Sequence, residues 1–339
     1  MRQSPLPASF QALRSHQADG RVQSSIERLT LADLSPGEVV VRNLHAGVNY
    51  KDCLAIYGQA KIITTFPRIA GIEAVGIVVE CASDAFHPGD AVLVHGHQTG
   101  IAFDGGFSEF LRVPQAHLQQ VPAGLTPREC AVLGVPAFTA AMALERFEEL
   151  GLRPADGPVA VSGAGGAVGA LTIVVLSRAG YAVAAITRRM AQAPALRALG
   201  AAEVIDAAVL NQPQRPLEKA RFTAAIDNVG GPMLSWLLRS MQDGGRVAVV
   251  GNAAGNTYEG SVLPFIMRKV QMFGVMASPP WPQRHRLWQR LAGELKPDMQ
   301  RLAPHVHHIR LVQLMDHAAL QLEGGANGRT LVDFAEPGS

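Results

Sequence analysis

The 339-residue chain is 48% apolar and 17% charged, with 34 glycines and a formal net charge of +2. Such a composition suits a tightly packed α/β interior of one or two domains and excludes a disordered or fibrous chain. The near-neutral charge and the lack of an aromatic-basic stripe give no electrostatic case for nucleic acid or a membrane surface.

The opening "MRQSPLPASFQALRSHQADG" has no apolar signal-peptide core. Short β segments follow, separated by turn residues: "GEVVVRNLHAGV", "AVGIVVECAS", "PGDAVLVHG" and "GGFSEFLRVP". They predict a partly closed β-fold. The texture changes at Pro127, where "PRECAVLGVPAFTAAMALERFEELG" carries apolar residues at helical spacing and ends in Gly151. From Pro158 the chain alternates. "PVAVSG", "YAVAAIT", "EVID", "AAIDNVG", "GRVAVVG" and "VQMFGVM" read as strands, and "GAVGALTIVVLSRAG", "APALRALG" and "PMLSWLLRSM" as helices. This alternation predicts an α/β fold with a doubly wound parallel sheet. "ANGRTLVDF" reads as a strand that rejoins the first domain. Apolar runs such as "LTIVVLSRAGYAVAAI" are interrupted short of the roughly 20 residues that span a bilayer. With Cys53, Cys81 and Cys130 widely spaced and odd in number, a reducing, cytoplasmic location without a disulfide framework is expected.

"VAVSGAGGAVGA" sets a glycine-rich turn between a buried strand and a helix. Gly163 permits the tight turn, and Gly165 and Gly166 let backbone approach a pyrophosphate. Gly169 lets the helix pack on the sheet. At the helix start, Ala167 and Val168 add N–H groups and a partial positive charge. The second strand ends in Thr187, Arg188 and Arg189, where an NAD site carries Asp or Glu on the ribose. Two guanidiniums and a hydroxyl suit a 2′-phosphate, so NADPH is the expected cofactor; the alternative is that the arginines solvate a helix start.

Over nearly its whole length the chain resembles the medium-chain dehydrogenase/reductase superfamily. The resemblance implies a β-rich GroES-like domain over 1–130, joined by a return segment over 285–339, and a Rossmann domain over 131–284. In the zinc members of that superfamily, a Cys in the opening segment and the His of a Gly-His-Glu motif hold the metal. Here those stretches read "GVNYKD" and "AGIEAVG": Asn49 or Tyr50 stands near the Cys position and Ile72 replaces the His. Asn is a poor zinc ligand and Ile is none, so a site without metal is expected. The histidines of "HGH" and "HVHH" have no nearby Cys or carboxylate at a familiar ligand spacing and read as solvated or hydrogen-bonded.

"NYKD", "FPRIAGIEAVG", "GVPAFTA", "PLEK", "GNAAG", "PFIMR" and "GRTLV" together resemble a narrower family of zinc-independent, quinone-oxidoreductase-like enzymes that includes NADPH-dependent acryloyl-CoA reductases. This resemblance implies reduction of an activated C=C bond. The β-carbon of an enone or unsaturated thioester is already electrophilic, so the protein need only align cofactor and alkene, stabilise the enolate oxygen and allow protonation. Tyr50 is the first candidate beside the nicotinamide, as cofactor contact or as donor to the oxyanion. Asn49 is a candidate amide donor or a holder of the loop backbone. The resemblance implies further cofactor contacts at Thr139 (otherwise a helix cap), Ala253, Ile266, Asn327, and Ser278 or its neighbour Ala277. Arg268, Lys269, Arg284 and Arg286 are available for the phosphates of a CoA substrate, or are ordinary surface residues. Two alternatives stand beside this reading: an NADPH:quinone oxidoreductase, and a silent NADPH-binding protein. The superfamily resemblance also implies a homodimer built by sheet extension between Rossmann domains.

Overall fold

A computed structural model describes residues 6–213 and 215–334. The chain divides into two units, one built from residues up to Val135 and from Val306 onward, the other from Pro136 to His305.

The first unit opens with a hairpin, β1 (Phe10–Ala18) and β2 (Arg21–Leu29), closed by Asp19 and Gly20 at φ 51° and 74°. A two-residue hairpin requires such left-handed residues, and Asp-Gly supplies them readily. The sequence reading assigns no element here, and the Asp-Gly pair is the signal that marks it. Then follow β3 (Val39–Val48), α1 (Tyr50–Ile56), β4 (Arg68–Ile69), β5 (Glu73–Cys81), β6 (Ala91–His95), β7 (Phe110–Val113) and β8 (Leu118–Gln120). Four of these strands are the predicted ones. The region continues into α2 (Pro127–Glu149), which is two helical stretches meeting at Gly134, where φ is 44° and ψ −156°. Helical periodicity alone hides that break.

In the second unit β9 (Val159–Val161), α3 (Ala167–Arg178), β10 (Val183–Thr187), α4 (Ala193–Ala198), β11 (Ala201–Asp206), β12 (Phe222–Asp227), α5 (Gly231–Ser240) and β13 (Met241–Val249) follow the predicted order, and a short helix the sequence reading omits, α6 (Leu263–Arg268), precedes the predicted β14 (Gln271–Gly274). Helices α7 (Trp281–Ala292) and α8 (Met299–Leu302) follow. All strand pairs are parallel, in the order β11-β10-β9-β12-β13-β14, so strand order reverses between β9 and β12. Phe222, Trp236, Leu237 and Val247 pack one side of this sheet. Eight of the twelve residues of α3 are buried, which the glycines before it allow.

The chain returns through β15 (Val306–Ile309), α9 (Leu314–Leu322) and β16 (Arg329–Asp333). β16 lies antiparallel to β3 in the sheet ordered β15-β16-β3-β5-β6-β8. The sequence reading starts the return at 285. In the structure residues 285–305 stay with the second unit, because Trp288 is fully buried with its ring stacked on Phe138 at 5.8 Å and Arg290 pairs with Glu148 at 2.7 Å. Burying such an aromatic ring contributes about 2–3 kcal/mol. Only α2, among the described helices, is long and apolar enough to cross a membrane; 83% of that stretch is buried inside the protein, and Gly134 interrupts it, as suits a core helix.

Candidate functional site

In the first unit, β3 ends at Val48 and the chain turns at Asn49 into α1, placing half-buried Tyr50 at the first helical position. Asp52, one turn on, is 1% exposed and clamps two segments together. Its Oδ2 accepts from the Asn49 backbone N–H at 3.0 Å and from Asn49 Nδ2 at 3.2 Å; its Oδ1 accepts from the Ile72 N–H at 3.0 Å. Burial pushes its carboxyl up to about 7, against those hydrogen bonds, with the nearby Glu73 charge adding to the rise.

Glu73, at the head of β5, binds three groups. Oε1 accepts from Asn49 Nδ2 and from Arg329 NH2, each at 2.8 Å, and Oε2 accepts from the Val135 N–H at 2.8 Å. The Arg329 side chain, 1% exposed, also donates to the Ala131 carbonyl at 2.9 Å. A Cβ at Gly47 or Gly134 would overlap the Glu73–Arg329 pair, so glycine makes room for it at both positions. Both Asn49 amide hydrogens are thus directed at carboxylates, and its donor capacity is used within the network. Neither Glu73 nor Arg329 figures among the sequence candidates. Their signal is a charged residue inside "AGIEAVG" and another heading "GRTLV", runs otherwise buried. Desolvation raises the thiols of Cys53 and Cys130, which disfavours the thiolate at both buried positions.

In the second unit, Gly163 takes φ 59° at the end of β9 and Gly166 caps α3. A Cβ at Gly169 would overlap the Gly163 carbonyl, and one at Gly165 would overlap the Gln192 amide. Gln192 Oε1 accepts from Thr187 Oγ1 at 3.3 Å, and that hydroxyl accepts from the Arg189 N–H at 3.1 Å. Gly165, Thr187 and Arg189 are therefore brought together by Gln192, which the sequence reading omits. Thr187 is buried and shapes the turn, while Arg188 and Arg189 are exposed. Ala167 and Val168 open α3, whose first N–H groups lack partners within the helix. Ala253 lies in an exposed loop tied to β12's following turn by the Ala254 N–H to Val229 carbonyl bond at 2.8 Å.

Other candidates are dispersed. Thr139 is buried in α2, Ile266 on α6 is 68% exposed, and Ser278 is exposed beyond β14. Asn327 precedes β16 and bonds to His307 at 3.0 Å. The four basic residues considered for CoA are largely committed elsewhere. Arg268 donates to the carbonyls of Arg239, Met241 and Glu218, Arg286 pairs with Glu145 at 2.8 Å, and Lys269 pairs with Asp243 at 3.3 Å. Arg284, far from being a surface residue, is 2% exposed with its guanidinium near the Phe138 and Trp281 rings. Among the histidines, His308 pairs with Asp333 at 2.7 Å and His97 stacks on His117.

Residues 35–123 match the family model of the alcohol dehydrogenase GroES-like domain, and residues 167–292 that of zinc-binding dehydrogenases. Acrylyl-CoA reductase AcuI of Ruegeria pomeroyi is 35% identical over 319 residues, 94% of this chain and 96% of its own. The chain belongs to the medium-chain dehydrogenase/reductase family. The putative quinone oxidoreductase YhfP of Bacillus subtilis is 37% identical over 291 residues, 85% of this chain and 88% of its own. The crystal structure of Escherichia coli YhdH with bound NADPH aligns at a TM-score of 0.91, with 37% identity, over 95% of this chain and 99% of that one. The zinc implied by the second family model does not fit the residues present. Ile72 has no donor atom, the Asn49 amide is turned to carboxylates, and among the described residues no group of three His, Cys, Asp or Glu can hold a metal ion.

Proposed function

We propose that the chain is an NADPH-dependent reductase of activated C=C bonds, taking α,β-unsaturated thioesters of the acryloyl-CoA type, and that it works without zinc. The observation that carries the cofactor reading is the end of β10, which runs into exposed Arg188 and Arg189 rather than Asp or Glu, beside a glycine loop where a Cβ at Gly165 or Gly169 would overlap its neighbours. The acrylyl-CoA reductase relative supports the substrate class. NADPH, when bound, supplies a hydride for the β-carbon, and with one proton at the α-carbon the C=C bond becomes a single bond.

The residues divide the remaining work. Gly165, Gly166, Ala167 and Val168 hold the pyrophosphate by backbone N–H groups. Arg188 and Arg189 bind the 2′-phosphate, with Thr187 and Gln192 setting the turn. Thr139, Ala253, Ile266, Ser278 and Asn327 complete the cofactor contacts. Tyr50 contacts the cofactor and offers a phenol to the thioester carbonyl oxygen as charge builds there. Asn49 holds the start of α1 rather than donating to substrate, since its amide serves Asp52 and Glu73. We also infer a cytoplasmic homodimer. Cys53, Cys81 and Cys130 are free, and β14 ends its sheet flanked by Ile266, Met267 and Met276, which are 68%, 62% and 77% exposed.

A second reading, quinone reduction, is favoured by the kinship to YhfP. Initial rates of NADPH oxidation with acryloyl-CoA, crotonyl-CoA, simple enones and a benzoquinone decide between them. Turnover of acryloyl-CoA to propionyl-CoA is expected. Turnover of quinone alone reverses the assignment, and NADPH binding with no turnover of any acceptor makes the chain a silent binding protein.

A further inference from the structure

Strand β12 ends at Asp227, and strand order places it across β9 from β10 and its arginines. The next residue, Asn228, is gripped twice by Ser162, the last residue before the glycine loop. Its backbone N–H donates to Ser162 Oγ, and its side-chain Nδ2 donates to the Ser162 carbonyl oxygen, each at 2.8 Å. Ser162 Oγ donates in turn to Asp227 Oδ1 at 2.6 Å. The Asp227 carboxylate also accepts the N–H groups of Val229 at 3.2 Å and Gly230 at 2.9 Å. Asp227 is fully buried, so this support is enclosed by protein.

Turning the Asn228 amide over would press its oxygen against the Ser162 carbonyl oxygen, so the orientation is fixed. Oδ1 is thereby left sealed from water with no donor within reach. A buried acceptor in that condition is costly, and a ligand that brings a donor relieves it. Its place says which ligand. Asn228 Cβ lies 3.5 Å from the point where Gly163 would carry a Cβ, so the side chain borders the glycine turn. In a doubly wound sheet the dinucleotide crosses the switch point, one nucleoside on each side. With the 2′-phosphate of the adenosine assigned to the β10 side, the β12 side receives the nicotinamide nucleoside.

We propose that Asn228 is a binding residue for the nicotinamide nucleoside, its Oδ1 accepting a hydrogen bond from a ribose hydroxyl or the carboxamide. Asp227 and Ser162 act through it as positioning residues. The exposed loop over 252–260, held against this turn by the Ala254 N–H to Val229 bond, is the segment that yields to admit the nucleoside. The assignment rests on the dinucleotide reading given above.

The test uses two ligands on the full chain: NADPH, followed by its fluorescence, and 2′,5′-ADP, which carries only the adenosine half, followed by calorimetry. Asn228→Ala and Asn228→Leu are each expected to raise the Kd for NADPH about tenfold, the size of one hydrogen bond to a desolvated acceptor. The Kd for 2′,5′-ADP stays within about twofold of wild type in both, which also reports an intact fold. Unchanged NADPH affinity in the variants overturns the proposal, as does a parallel loss of both ligands or failure of both variants to fold, each of which makes the position structural. A wild-type chain that binds neither ligand removes the dinucleotide reading itself. Wild-type binding of both with unaffected variants removes only the role of Asn228.

Discussion

Around Glu73 the polar groups answer one another: both oxygens of Glu73 and of Asp52 are occupied, and the Asn49 amide serves both carboxylates. Around the glycine loop the bonding is unfinished. The first N–H groups of α3 have no partner within the helix, and the Asn228 oxygen is sealed from water with no donor. A closed network fixes geometry without needing a ligand, whereas an open one costs stability until a ligand completes it. The network in the first unit holds the start of α1, and the glycine loop in the second leaves backbone N–H groups and one buried acceptor to be completed.

The largest effect follows from opening the closed network. Arg329→Met leaves the Glu73 charge buried beside one amide and one backbone N–H, and about 3–5 kcal/mol of stability is lost in urea unfolding. Pairing it with Glu73→Gln restores a good part of that loss. A single-variant loss below about 1 kcal/mol would show that the pair does not hold this network together.

How much of this is legible in the sequence differs between the same two regions. The glycine loop and the Arg188–Arg189 turn are contiguous, and the backbone approach they permit follows from residue type, so both can be read directly. The Glu73–Arg329 pair joins residues 256 apart, and no local periodicity reports such a contact. The Gly134 break is not reported by apolar spacing, although Gly134 and Pro136 are breaker residues; the ion pair that a side chain at 134 would strike is not legible at all. Asn228 sits in "AAIDNVG", read as a strand, and only the orphaned oxygen at its end distinguishes it.

In the open region the expected effect is smaller. Arg188→Ala with Arg189→Ala raises the Kd for NADPH by about 30–100-fold, or about 2–3 kcal/mol, and leaves the Kd for NADH nearly unchanged. Equal weakening of both cofactors would move the 2′-phosphate away from these arginines.

The pH dependence of the closed region comes last. Burial raises the Asp52 carboxyl from 3.8 to about 7, so the folded chain holds a proton there that the unfolded chain releases. Stability from this group is complete below about pH 4 and declines as pH rises through about 7. Between pH 5 and 6 its contribution falls by up to ~1.4 kcal/mol per pH unit, and Asp52→Asn removes that slope from the unfolding free energy. An identical slope in the variant assigns the proton to another group.

The central claim is that conjugation in the acceptor, rather than a bound cation, prepares it for hydride. The most direct measurement is the initial rate of NADPH-dependent acryloyl-CoA reduction by chelator-treated protein, with its zinc content determined on the same sample. The account predicts full activity at negligible zinc and no gain on adding the metal. Activity lost with the chelator and restored by zinc would contradict it.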